Sequence, residues 1–395
     1  VGTANSYIGI FIIMFSIISS GMVSVMTQNI GAGRPGVAYQ ARQLGLLFNA
    51  VAGVLMAVFL FSGAGAILRM VGIADALYEP ALIYLKIVGG GCILNAVIPI
   101  FSSYLRAFGY TKQPLYATIV GNIANFVMNA VFLFVLHKGV AGVAIATVIS
   151  KILNLCIVLY FSHKLISAKN STERIANKTV LGQIVKVGLP SACETALYNV
   201  AMMLVIRFLN QMDAEGLNVT ARSYTATISN FSYCVGAALA QANAIMTGWH
   251  IGAGELEECD RGTKRAAFVG VCVAVCMETA IVLGSGFIMP LFTDNPEMTA
   301  LVRKLLAIDI VLEIGRVTNL VFGQALKTSG DAVFPAVIAA VFMFVFAVGG
   351  TWLFGISMGL MAVGAYIGLA SDECVRAVGM VWRWKTGKWR TKKLV

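Results

Sequence analysis

Charge is scarce in this chain of 395 residues: Asp, Glu, Lys and Arg together make up 12% of it, against roughly 25% in an ordinary soluble domain. A surface wetted on every side is not built from so few charges. Histidine is rarer still, with His137, His163 and His250 all near loop boundaries, which leaves little scope for imidazole catalysis. The eight cysteines form no CxxC pair and no His/Cys cluster at zinc spacing, so zinc-ribbon and dithiol redox chemistry are excluded. Short segments of alternating polarity, the mark of a β-barrel wall, are missing. No Ser/His/Cys constellation suggests an enzyme; the expectation is no catalytic residue, no metal centre and no cofactor.

Apolar residues are what the chain has instead. They make up 58% of it, and the mean hydropathy is +0.83. A membrane-spanning helix takes about 20 mainly apolar residues, and eleven such runs can be counted. They lie near residues 5–27, 45–70, 80–105, 116–136, 140–163, 182–209, 223–247, 265–290, 300–326, 333–354 and 358–382. The fold class expected is an all-α membrane protein, a polytopic helical bundle.

The bundle is duplicated. Ile30, Gly31, Ala32 and Gly33 recur as Ile251, Gly252, Ala253 and Gly254, 221 residues on. The same offset carries Leu105, Arg106, Gly109 and Pro114 onto Leu326, Lys327, Gly330 and Pro335. Repeated helical halves are a common way to build a transporter that rocks around a central site. The glycines are expected to close helices by taking positive φ, and the prolines to start the helices that follow. A phosphate loop is disfavoured, because no strand precedes the glycines and no Lys-Ser/Thr follows them. The offset pairs Val1 with Arg222, leaving Leu181 to Ala221 without a counterpart; the expectation is two pseudo-symmetric six-helix lobes with the first helix missing.

The polar stretch around Lys164, Lys169, Arg174 and Lys178 separates the halves. Residues 1–163 form an N-terminal lobe of five helices, 164–180 a cytoplasmic linker, 181–386 a C-terminal lobe of six, and 387–395 a basic cytoplasmic tail. The net charge of +11 is a topology signal rather than a nucleic-acid footprint. With the tail cytoplasmic, nineteen of the 29 basic residues fall on its side, among them Arg42, Arg106, Lys112, Arg261, Lys327 and Arg383, while Arg222 falls toward the other face, in line with the positive-inside bias.

Ionisable residues inside the bilayer cost at least about 2.5 kcal/mol each at a helix centre and are functional candidates by default. Six acids fall within the second lobe's apolar runs, Glu194, Glu278, Asp309, Glu313, Asp372 and Glu373, against the three bases Arg207, Arg316 and Arg376. A proton, Na+ or a cationic substrate would neutralise the surplus of carboxylates. Asp309, Glu313 and Arg316 stand at i, i+4 and i+7, with Asn319 three residues on, a spacing that lays them along one helix face. One guanidinium neutralises only one of the two carboxylates. Glu194 follows Pro190 by one turn; with Asn199 and the carbonyl the proline frees, it could hold a hydrated cation. These six are the expected coupling and substrate-binding residues. Glu278 and the i, i+4 pair Asp372 and Arg376 are secondary candidates. So are Asn125 and Asn129, which share a face with Asn122 in the first lobe.

In sequence order, these segments resemble the multidrug and toxic compound extrusion (MATE) family. The resemblance is carried by Thr27 to Gly33 (TQNIGAG), Leu105 to Leu115 (LRAFGYTKQPL) and Gly188 to Asn199 (GLPSACETALYN). The acid, Arg and Asn series from Asp309 to Val321 continues it, as does Gly387 to Trp389 after the Asp372 to Arg376 segment. It implies twelve helices in two lobes, a central cleft, and export of organic cations driven by Na+ or H+ entering. In other branches of the family an acid stands at the position of Tyr198, and Asp is common at that of Asn129, which makes both secondary candidates.

The function expected is thus a secondary active multidrug exporter, a Na+ or H+ antiporter of organic cations working by alternating access. It is expected in the cell (inner) membrane as a multi-pass monomer, in contact with lipid and with no nucleic-acid partner. The alternative is a lipid- or glycan-precursor flippase of a related superfamily. That would favour a basic cavity, and the second lobe's surplus of acids speaks against it.

Overall fold

A computed structural model describes residues 2–70, 75–166, 173–213 and 216–395. Within them the chain is helical throughout, with no strand. The first segments are α1 (Gly2–Gly31), α2 (Pro35–Met70), α3 (Asp75–Gly90), α4 (Cys92–Ala107), α5 (Lys112–Ala130) and α6 (Gly139–Leu165). Then come α7 (Asn177–Met212), α8 (Leu217–Ala253), α9 (Leu256–Ile288), α10 (Pro296–Ser329), α11 (Val333–Phe342) and α12 (Met361–Lys385). Because α3 and α4 are one rod interrupted at Gly91, these make eleven helical rods among the described residues. Two compact units result, residues 1–192 and 193–395, divided within α7. Part of the expected linker, residues 167–172, and the segment 71–74 before Asp75 lie outside the described residues.

Several helices outrun the apolar segments that betray them. α2 starts at Pro35 rather than near 45, and α7 at Asn177 rather than near 182. Hydropathy marks the part of a helix that lipid surrounds, whereas the hydrogen-bonded ladder runs on through polar turns. Seven rods are long and apolar enough to cross a membrane by composition. α8, α10 and α12 fall outside that group because they carry polar side chains that the second unit buries, such as Ser232, Asp309, Glu313 and Asp372.

The duplication survives at backbone level. Gly33 and Gly254 take φ of 74° and 81°, Gly109 and Gly330 of 86° and 98°, ending α1, α8, α4 and α10 as expected of glycine just past a helix. The agreement extends further. α5 unwinds into a π-helical turn, Val131–Val135, and α11 ends in two, Met343–Val348 and Thr351–Ser357. The turns that follow carry matching positive-φ pairs, His137 with Gly139 and Gly359 with Met361. A Cβ on Gly142 would fall 2.6 Å from Phe132, and one on Gly364 2.4 Å from Phe354, so each unit closes the same hairpin by the same close approach.

In the second unit α10 is the axis, flanked by α8, α9 and α12. Val317 fits between α8 and α9 at Gly236 and Gly270, where a Cβ would fall 2.7 and 2.8 Å from its side chain. On the opposite side Gly315 lets α12 approach until a Cβ there would lie 2.7 Å from the Cys374 nitrogen. A helix surrounded in this way buries whatever it carries, and α10 carries charge.

Candidate functional site

Asp309 and Glu313 on α10 and Glu278 on α9 are all buried. One carboxylate oxygen from each lies within 4.8 Å of the others. Glu313 is ion-paired with Arg316 one turn on. Among the described residues, both oxygens of Glu278, Oδ2 of Asp309 and Oε2 of Glu313 lack a hydrogen-bond partner, although the hydroxyls of Ser232 and Ser229 on α8 face Glu278 and Asp309. Two ionised carboxylates at that separation repel by about 3 kcal/mol at an effective dielectric of about 20. A proton or a cation held by the three oxygens relieves the repulsion, and oxygen donors suit hard cations.

Beside this cluster runs a network centred on Glu373 of α12. It is ion-paired with Arg376 at 2.7 Å and accepts from Asn319 Nδ2 at 3.1 Å, with Arg316 Nε at 3.8 Å. Arg376 also forks onto Asp372, at 3.0 and 2.7 Å. A cavity of about 330 Å³ opens here, its walls including Tyr198, Arg222, Tyr233, Asp309, Arg316 and Tyr366. A smaller one of about 210 Å³ shares Tyr198, Tyr233, Arg316 and Glu373 with it and reaches Glu194, Asn319 and Arg376.

Most of the residues singled out from sequence meet here, in a different arrangement. Asp309 and Arg316 line the larger cavity while Glu313 turns away to Glu278. Residues at i and i+4 diverge by about 40° around a helix, enough to set one in a cavity and the other in the packing beneath. Glu194 does not share Arg316: its partner is Lys327, 2.7 Å away. From sequence Lys327 falls in a cytoplasmic loop, but α10 runs on to Ser329 and brings it within reach. Asn199, five residues from Glu194, is exposed and lines neither cavity, because five residues amount to about 140° around a helix. Asn125 and Asn129 belong to the first unit. There Asn129 donates to Asn125 Oδ1 at 3.0 Å, and Asn125 to Ser150 at 3.3 Å.

Other residues reach the site without a signal in the sequence. Glu373 counts there only as one acid among six, and charge bias sets Arg222 on the external face rather than in a cavity. Tyr233 and Tyr366 carry nothing that separates them from the other aromatics. In the first unit Lys151 stands alone inside an apolar run, and its Nζ donates to Asn95 Oδ1 at 2.7 Å; a single intramembrane base is the signal that finds it.

The chain matches the MatE family model over residues 1–131 and 190–353. It is 31% identical over 398 residues to the uncharacterized transporter YisQ of Bacillus subtilis strain 168, covering 99% of this chain and 87% of that protein. It is 20% identical over 325 residues to the probable multidrug resistance protein NorM of Thermotoga maritima, covering 79% and 68%. A solved multidrug resistance MATE family transporter of the MOP superfamily, in an outward-facing conformation, superposes with a TM-score of 0.88 at 20% identity, over 98% of this chain and 87% of that one. Duplicated helical halves, acids buried along one central helix, and a family match across most of the length agree: this chain belongs to the MATE family of membrane transporters.

Proposed function

We propose that the protein is a secondary active exporter that exchanges Na+ or H+ for organic cations by alternating access, the lobes over residues 1–163 and 181–386 rocking in turn. The observation that carries this reading is the buried triad Glu278, Asp309 and Glu313, one member of which, Asp309, also lines the cavity. A carboxylate shared between a buried cluster and a ligand cavity can be neutralised from either side. The ion bound to the cluster and the cation in the cavity then compete for the same charge, which is the thermodynamic content of exchange. The Glu373 network holds Arg316 and Asn319 in place around them. The basic-residue bias puts the tail on the cytoplasmic side of the cell membrane, and the bundle works as a monomer.

The test is efflux of a cationic dye from proteoliposomes under separately imposed Na+ and H+ gradients. Dye movement that follows one of the two supports the reading and names the ion. Movement that ignores both, in protein that is folded and inserted, removes it.

A further inference from the structure

The last turn of α12 and the tail beyond it carry six bases, Arg383, Lys385, Lys388, Arg390, Lys392 and Lys393. Arg383 is held by Asp331 and Arg390 by Glu257. Asp260 is taken as well, by Lys264 and the indole of Trp384. The four lysines are exposed and form no ion pair among the described residues. The segment that carries them is nevertheless fixed. Trp389 donates its indole N–H to the Trp384 carbonyl at 3.1 Å, Leu394 is buried, and the Lys392 carbonyl lies 2.3 Å from where a Cβ on Gly330 would fall.

Lys385 also borders an apolar surface. With Thr318 of α10 and Ala377, Val378, Val381 and Trp382 of α12 it lines a groove of about 330 Å³. Val378 and Trp382 are 69% and 58% exposed, so the groove opens outward, where a membrane bundle meets lipid. Eight residues of helix rise set Lys385 about 12 Å from Ala377, close to the depth of one leaflet in a hydrocarbon core about 30 Å thick. Trp382, with its ring centroid 6.1 Å from that of Phe334, stands beside the lysine as aromatic residues do at headgroup level. The groove thus offers an apolar wall for a chain and a cation at its mouth.

We propose that this groove between α10 and α12 binds one anionic glycerophospholipid, an acyl chain along Ala377, Val378 and Val381 and the phosphate on Lys385. The tail lysines add to the positive field around it. Asp260, Asp331 and Glu257 do not compete for Lys385, because each already has its own base. Phosphatidylcholine also carries a phosphate but brings its own ammonium, so the lysines favour a headgroup of net negative charge. The site is independent of the ion and the substrate that the exporter moves.

Trp382 is the reporter for the test, since bromine on an acyl chain quenches an indole it touches. The purified full chain is reconstituted in vesicles of phosphatidylcholine and phosphatidylglycerol in varied ratio, with bromine on one lipid or on the other. The Trp382 signal is the difference between wild type and Trp382→Phe. Occupancy is expected to favour phosphatidylglycerol by at least about fivefold, the scale of one lysine at an anionic membrane surface. Lys385→Gln should bring that preference towards one, and Lys385→Arg should keep it. Equal quenching by the two lipids in the wild type overturns the proposal, as does a preference that Lys385→Gln leaves unchanged, the mark of diffuse attraction to the tail. Inorganic phosphate at constant ionic strength should not displace the lipid; if it abolishes the preference, the groove holds a free anion and the lipid site falls. Native mass spectrometry of the wild type from detergent with both lipids needs no variant: retention of phosphatidylglycerol over phosphatidylcholine is expected, and equal retention overturns the site.

Discussion

The ammonium of Lys327 lies 2.7 Å from the Glu194 carboxylate, joining the C-terminal turns of α10 to the middle of α7. Both side chains are mostly buried, so removing one charge strands the other. Lys327→Met is expected to cost roughly 1–3 kcal/mol of stability, and Glu194→Gln on that background to restore much of it. A double-mutant cycle of melting temperatures in detergent measures the coupling; additive losses would mean that the pair is not energetically linked.

Under the proposed exchange, Asp309, which belongs to the buried acid cluster and also lines the cavity, is the carboxylate for which ion and substrate compete. Asp309→Asn should lower ion-driven dye efflux at least tenfold, equivalent to about 1.4 kcal/mol or more, while the protein still inserts and runs as a single species on gel filtration. The double variant Glu194→Gln with Asp309→Asn is expected to abolish it. Wild-type rates from either protein would move coupling away from the second unit.

Gly315 holds α10 against α12, where a Cβ would fall 2.7 Å from the Cys374 nitrogen. Gly315→Ala should push the helices apart, loosening the Asn319 contact to Glu373, at a cost of about 1–3 kcal/mol. At Gly262 on α9 an added Cβ would meet nothing within 4 Å, so Gly262→Ala is expected to be neutral or to stabilise by up to about 1 kcal/mol. Comparing the two melting temperatures separates close approach from a general intolerance of the extra methyl group.

The basic tail is held by unequal contacts. Arg383 forks onto Asp331 at 2.7 and 3.1 Å with both side chains largely buried. Trp389 stacks on Trp384 with ring centroids 4.2 Å apart. Arg390 pairs with Glu257 at 2.6 Å in the open. Asp331→Asn should cost about 2 kcal/mol, because it leaves a shielded guanidinium without its charge partner. Glu257→Gln should cost less than about 0.5 kcal/mol, since solvent screens an exposed pair. Chemical denaturation in mild detergent checks the order, and a larger loss from Glu257→Gln would reverse this ranking of the clasp.

Hydropathy, the 221-residue repeat and the acids of α10 are enough to read an eleven-rod, duplicated membrane bundle and most of its charged interior. These features are legible because each is local: a lipid-facing run needs only its own composition, and a helix-closing glycine such as Gly254 or Gly330 only its own φ. Partners are not local. That Lys327 rather than Arg316 answers Glu194, that Glu278 joins Asp309 and Glu313, and that Arg222 faces a cavity all depend on where a helix ends and how it is rotated against its neighbours. Close approaches at Gly236, Gly270 and Gly315 set that rotation, and a few tens of degrees about α10 separate a carboxylate in the cavity from one buried beneath it.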